Sequence, residues 1–521
     1  MNSRRRVWLA GAVGAAVALL HAPGVAHSAE EKLTITGGAI GDQAGTAVAI
    51  DGDTAVVGAP QAGNNGAAYV FERTAGTWSQ AAKLTSSSTP SEDQFGASVA
   101  IDGDTIVVGA PLKDEPPATA AGAVYTFTRT GGDRTETAKL IRGEPSAFDR
   151  LGLSVAIDGD TIVAGASGVN QLEGAAYTFA ATGDDRTEAG TLTASDGVGS
   201  AKVAGDEFGT SVAIDGDVIV VGSPLADTAA TTDNKGAAYT FATIGDAERT
   251  ETGKLTASDG AASDNLGSSV DVNGDTIVAG APGAGGGAVY TFARTGTNPR
   301  SQTAKLTASN GTDGDDLGRS VAIDGDNIVA GAPDNLAGQD IAGAAYAFAR
   351  TGPAARTETF ELVPGDPGPG DNLFGASVGA SGESLIVGAP FDSPGGVNQA
   401  GSASVFDADV PPIDTDPPGL ELTAEKKQKI GKTIAVTADT DENCDLVLSG
   451  SVKPKNGSEK ALKDVEASLV AGVPADLELK VSKGLQKDLK KAKRGKATLE
   501  GTCADAAGNE GEGSAKVSLK K

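Results

Sequence analysis

A phrase close to GxSVAIDGDTIVVGAP occurs seven times, beginning at Gly45, Gly96, Gly152, Gly209, Gly267, Gly318 and Gly375. Nothing else in the sequence constrains the fold as strongly, because self-similarity at so long a period requires a unit that is built once and then stacked. Each copy continues into a second phrase, GAAYTF or a variant, with aromatic pairs from Tyr69/Phe71 to Tyr346/Phe348 and a degraded seventh copy, GSASVF, ending at Phe406. A third phrase follows, fullest as RTETAKLTAS, with its leucine at Leu84, Leu140, Leu192, Leu255, Leu306 and Leu362. Each repeat thus offers four short β-runs.

The runs SVAI and TIVVGA are β-branched and apolar, and AspGly separates them, as at Asp51-Gly52 and Asp102-Gly103, which is a strong hairpin signal. The turn glycine is present in every copy: Gly52, Gly103, Gly159, Gly216, Gly274, Gly325 and Gly382. A positive φ, as in a type I′ turn, is the reason to keep glycine there. Pro60, Pro111, Pro224, Pro282, Pro333 and Pro390 close the second run, where a residue without an N–H no longer serves a ladder; Ser167 replaces it in the third copy. Seven four-stranded units predict an all-β, seven-bladed β-propeller over residues 30–406. Blade faces pack on one another, so the core is wide and thin. That accounts for 73 glycines and 4% aromatic residues in a chain that is 39% hydrophobic.

The phase of the repeat predicts how the ring closes. The segment from Glu30, EEKLTIT, matches the phrase that elsewhere ends a blade, whereas the seventh copy stops at its third run. The first strand should therefore complete the last blade, with Leu33 and Ile35 beside Val405 and Phe406.

The Phe-Gly or Leu-Gly pair before each first strand (Phe95-Gly96, Leu151-Gly152, Phe208-Gly209) and the GAP that ends the second are the two halves of the FG-GAP repeat. The chain resembles a bacterial FG-GAP propeller, related to integrin α-subunit heads. Several repeats of that kind carry a longer DxDxDG loop that wraps calcium. Here the loop is cut to AspGlyAsp, as in Ile101-Asp102-Gly103-Asp104-Thr105, which cannot supply six to eight oxygens. These aspartates read as turn chemistry, and no cofactor is expected. Asp313, Asp315 and Asp316 are a weak alternative for a calcium ion, without a full ligand spacing.

Residues 1–28 read as an export signal: Arg4 to Arg6, an apolar run from Val7 to Leu20, then Ala26-His27-Ser28 as a small-residue cleavage site. The general and the twin-arginine routes both stay open. The run is too short to span a bilayer, so the mature chain is expected to have no transmembrane segment and to be secreted or held at the cell surface. Both histidines, His21 and His27, fall in the removed segment, which excludes imidazole catalysis and His-ligated zinc from the mature chain.

Residues 407–418, rich in Asp and Pro, read as a linker. Seven further β-runs in residues 419–521 fit a small sandwich that is similar to immunoglobulin-like domains appended to secreted bacterial proteins. Cys444 and Cys503, the only cysteines, read as one disulfide in an exported chain. Charge divides along the same boundary, about −31 from Glu30 to Ile413 and about +1 beyond it, which with the three arginines of the signal gives the formal net charge of −27. Nucleic acid is therefore an unexpected partner. The run from Lys487 to Lys496 is locally basic and reads as a solvated helix or turn, with contact to an anionic wall polymer as the sharper alternative.

Three functions compete. A non-catalytic binding or adhesion module, monomeric and facing an extracellular protein or glycan, is favoured by the repeat architecture and the missing catalytic residue types. A structural envelope component without a discrete ligand comes second, and a carboxylate- or metal-dependent glycan-active enzyme third. For a binding module, the loops joining strands two and three and those joining blades vary in length, which places recognition on their face.

Overall fold

The computed structural model describes residues 30–88, 92–130, 133–182, 185–196, 205–227, 233–244, 248–294, 300–335, 343–350, 356–365, 372–407, 419–440, 444–469, 474–505 and 510–521. The expected export signal, residues 1–28, and the linker from residue 408 lie outside them.

Seven four-stranded antiparallel sheets follow the sevenfold repeat. The second is typical: Ser98–Asp102, Thr105–Ala110, Ala123–Thr130 and Asp133–Leu140 pair in that order. First strands neighbour one another from blade to blade, and that of blade seven, Ser377–Ser381, meets that of blade one, Ala47–Asp51, so the ring closes. Each core cluster mixes residues of adjacent blades, as where Val56, Ala68 and Val70 of blade one pack with Ile106, Val108 and Tyr125 of blade two. The hydrophobic effect therefore acts between repeats rather than within one.

The seventh sheet is completed by the start of the chain. Glu30–Leu33 pairs antiparallel with Ser402–Asp407, Glu30 opposite Phe406 and Leu33 opposite Ala403. Leu33, Ile35 and Val405 share one cluster, as expected; Phe406 does not join them. Alternation along the strand turns Phe406 to the opposite face, where it meets Phe374 edge to face at 6.0 Å between centroids.

The FG-GAP glycines are explained by these interfaces. Within a blade, the glycine of the FG pair donates its N–H to the glycine carbonyl of GAP, as Gly96 to Gly109 at 3.0 Å. Across blades, that GAP glycine faces the FG carbonyl of the next repeat. A Cβ on Gly109 would stand 2.0 Å from the Gly152 oxygen, and on Gly388 2.2 Å from that of Gly45. The space between blades admits no side chain here. In six of the seven copies a serine hydroxyl adds a bond to the same carbonyl, from Ser98 to Gly152 at 2.8 Å round to Ser377 to Gly45 at 2.9 Å; Ala47 stands in the remaining one.

Beyond the propeller, Leu420–Thr423, Thr433–Thr440 and Ala475–Lys480 form one sheet, and Lys427–Lys429, Glu510–Lys520, Arg494–Asp505, Cys444–Pro454 and Lys460–Ala461 a second, to which Val465–Leu469 adds. All seven expected β-runs are strands. One core, including Ile434, Leu448, Leu479 and Leu499, joins the two sheets. A helix, Lys483–Ala492, is capped by the Ser482 hydroxyl accepting from Leu485 N–H at 3.3 Å, and its Leu485 and Leu489 are buried.

Candidate functional site

The two ends of the blades are built differently, and both hold chemistry. At one end lie the hairpin tips. The strands end at Asp51 and resume at Thr54, so the two-residue turn is Gly52-Asp53, one position later than the AspGly reading supposes. All seven turn glycines have φ between 52° and 58°, whereas the following acidic residue is not among the residues with positive φ. Glycine in a positive-φ first position alone is the pattern of a II′ turn rather than I′.

This shift frees the preceding side chain. Asp51 accepts from the Gly103 N–H of the next blade at 2.7 Å, Asp102 from Gly159 at 2.6 Å, Asp215 from Gly274 at 2.9 Å and Asp324 from Gly382 at 2.6 Å, with Asp158 accepting from Gly216 in the same way. Asn273 accepts from Gly325 N–H and Ser381 from Gly52 N–H, both at 3.0 Å, and these complete the circle. The first Asp of AspGlyAsp is thus an inter-blade clasp, and not merely turn chemistry. Exposed bonds of this kind are worth about 1 kcal/mol or less each, but seven in a ring fix the blade register. The second acidic residue pairs with arginines: Arg73 reaches Asp53 at 2.8 Å and Asp407 at 3.0 Å, and the bond to Asp53 raises its pKa above the usual guanidinium value.

Near this end Asp271 stands where the other six repeats have Ala or Gly (Ala49, Ala100, Ala156, Ala213, Ala322 and Gly379). It accepts from its neighbour Val272 and from Ile323 of the next blade, both at 2.8 Å. Enclosure by the inner strands pushes its carboxyl up to about 7, against the pull of those two donors.

At the opposite end emerge the loops between strands two and three and those between blades. Parallel bridges tie the two families together, as Gly66 to Phe95 and Gly343 to Phe374, so they share a face. Beneath them lies a feature the sequence reading missed: an Asp or Asn three residues before each FG glycine. Asp42, Asp93, Asp149, Asp206, Asp264, Asp315 and Asn372 are all buried, Asp93 completely. Four of them accept the backbone N–H three residues earlier, for example Ser146 to Asp149 and Thr312 to Asp315, both at 2.7 Å. They fix the entry loop to each blade. The signal was present, since the residue type and spacing recur in all seven copies, but it was hidden among 69 acidic residues.

What sits opposite the buried acid varies. Lys113 reaches Asp93 at 3.2 Å and is itself buried; Asn335 approaches Asp315 at 3.4 Å; in blade seven Asn372 takes the acid's position while Asp392 binds Lys32 at 2.7 Å. Tyrosines of the third strands lie under the same face, and burial pushes the Tyr125 hydroxyl up to about 12 and Tyr239 well above its ordinary value. The frame is constant and its decoration differs from blade to blade.

Of the calcium alternative, Asp315 is spent on Thr312, whose N–H and hydroxyl it accepts at 2.7 Å each; Asp313 is exposed; and Asp316 is half-buried, its carboxyl raised by burial and by Asp334. Among the described residues no three His, Cys, Asp or Glu side chains group as metal ligands. Cys444 lies opposite Asp505, and Cys503, which is buried, opposite Leu446, so the two cysteines occupy adjoining strands two positions out of register. No helix among the described residues is long and apolar enough to cross a membrane.

The FG-GAP repeat model matches residues 27–71, 78–127, 135–179, 187–241, 250–292, 301–348 and 357–406. The chain belongs to the FG-GAP repeat family, and its seven matches equal in number the seven blades of the propeller. Each match begins in the fourth-strand phrase of one blade and ends in the third strand of the next, one strand out of phase with the blades. No curated relative matches the chain.

Proposed function

We propose that the propeller is a secreted, non-catalytic binding or adhesion module whose ligand site is the loop face. The observation that carries this reading is the contrast between the two ends. Each first-hairpin tip is a two-residue turn held by a repeated clasp, whereas the loops between strands two and three run from 282–287 in blade five to 224–236 in blade four, on a frame held by buried carboxylates. Loops varied on a rigid ring are where recognition resides in such scaffolds. Exposed acids on this face, including Glu92, Asp313 and Asp334, favour a cationic group or a cation-bridged glycan.

The test is a glycan and surface-protein binding screen of the chain from Glu30, followed by replacement of residues 225–235 and 334–342 with short Gly/Ser turns. Parts of both segments lie outside the described residues. The thermal transition is expected to hold while binding weakens about tenfold, with affinity falling as salt rises through the Debye range. Unchanged binding, or a loss produced instead by substitutions in the AspGlyAsp tips, would sink the reading.

A Cys444–Cys503 disulfide belongs to the same proposal of an exported chain, supported by the adjoining strands. It would close a loop worth about 4 kcal/mol in the chain-entropy model. The non-reduced chain is expected to weigh two hydrogens less than the reduced one; equal masses would exclude the bridge.

A further inference from the structure

The second sheet of the C-terminal region carries a charge pattern that its fold does not require. Antiparallel register sets Lys453 opposite Lys496, and Lys496 opposite Ser518, which the parallel edge strand places beside Lys427. One row further, Lys455 N–H donates to the Arg494 carbonyl at 3.1 Å, Arg494 lies opposite Lys520, and Lys520 is beside Lys429. Side chains in register share a face, so six of these cations stand in two adjacent rows across four strands, and Lys455, in the turn just after Pro454, lies beside them. All seven are exposed, while Val452, Pro454, Gly495, Ala497, Val517 and Leu519 between them are buried on the other side.

Like charges directly opposite one another destabilise a sheet. None of these cations is in an ion pair with a described acid; the ion pair seen in this region joins Lys460 to Asp488 elsewhere. In a chain of net charge −27, acids were abundant and were not placed here. Five of the cations, Lys453, Lys455, Arg494, Lys496 and Lys520, line a hollow of about 410 Å³.

We propose that this face binds a linear polyanionic glycan bearing tetrahedral oxyanion esters, phosphate or sulfate. Rows two residues apart are about 6.8 Å apart and neighbouring strands about 4.8 Å, a grid on which successive ester groups of one extended chain meet successive cations. Residues 419–521 contain no Phe, Tyr or Trp, so the stacking platforms by which proteins hold single-stranded nucleic acid are missing. Recognition rests on charge and spacing. Binding is therefore steeply salt-dependent, because each neutralised ester releases a counterion.

The experiment titrates the full chain with dextran sulfate, poly(glycerol phosphate), neutral dextran and a single-stranded oligonucleotide, at several salt concentrations. Both charged glycan-type polymers are expected to bind, their ratio showing whether sulfate or phosphate is preferred, and neutral dextran is not. The triple variant Lys455→Gln, Arg494→Gln, Lys520→Gln should weaken binding about tenfold or more at low salt and lower the salt slope by about two. Its thermal midpoint should hold or rise, since opposed like charges are removed. The triple variant Lys463→Gln, Lys483→Gln, Lys487→Gln, exposed but off this face, should bind as the parent does. Unchanged binding in the first variant, equal loss in the second, or tighter binding of the oligonucleotide than of either glycan polymer would overturn the proposal.

Discussion

Deleting residues 30–36 is expected to lower stability by about 5 kcal/mol, from the loss of burial of Leu33 and Ile35 together with the bonds of the strand they anchor. The effect is large because this segment belongs to three places at once. Glu30 accepts from Ser404 and from the Gly365 N–H, both at 2.6 Å; Glu31 accepts from the Trp78 N–H of blade one at 2.7 Å; Lys32 pairs with the buried Asp392. Without it, Ser402–Asp407 becomes an open edge with unpaired N–H and C=O groups, which invites pairing between copies. The deletion variant should show a lower denaturant midpoint and concentration-dependent association in sedimentation. A synthetic peptide of residues 30–36 added in trans should reverse both. An unchanged midpoint would mean that the ring is held shut by the blade one–blade seven contacts alone.

The substitution Gly109→Ala should cost about 3 kcal/mol, the upper end of the range for forcing extra volume into a packed interior. The added methyl meets a backbone carbonyl, that of Gly152, which the Ser98 hydroxyl also holds in place, so neither side can yield cheaply. By contrast Gly103→Asn, at a tip with open space around it, should cost about 1 kcal/mol, the backbone strain of a side chain at φ 53° in a II′ turn and no clash. Equilibrium denaturation of the two variants beside the parent chain checks the ordering. A Gly109→Ala chain as stable as Gly103→Asn would show that the blades can slide apart at no cost, contrary to the packing described here.

These two results also separate two meanings of a repeated glycine. In sequence both are invariant through seven copies. Gly103 is kept for its backbone angle, a local requirement that a hairpin pattern reveals. Gly109 is kept for the nearness of a neighbour 43 residues away in the chain, Gly152, a requirement visible only once blades are stacked. The aspartates divide in the same way. Asp102 looked like a turn former and clasps the next blade, and Asp315 looked like a weak metal ligand and is the sixth copy of a buried loop anchor.

The sequence by itself determined the blade count, the four strands of each blade, the seven turn glycines and the closure of the last blade by the first strand. Each follows from short-range patterning and from the phase of the repeat, which are properties of a single unit and its copies. Only the tertiary structure decided the turn type, the side to which Phe406 faces, the direction in which each AspGlyAsp carboxylate reaches and the alignment of six cations on one sheet face. These depend on the register between strands and between blades. One residue of slip moves a side chain to the opposite face; the repeat shows which strands exist, whereas packing fixes what each residue meets.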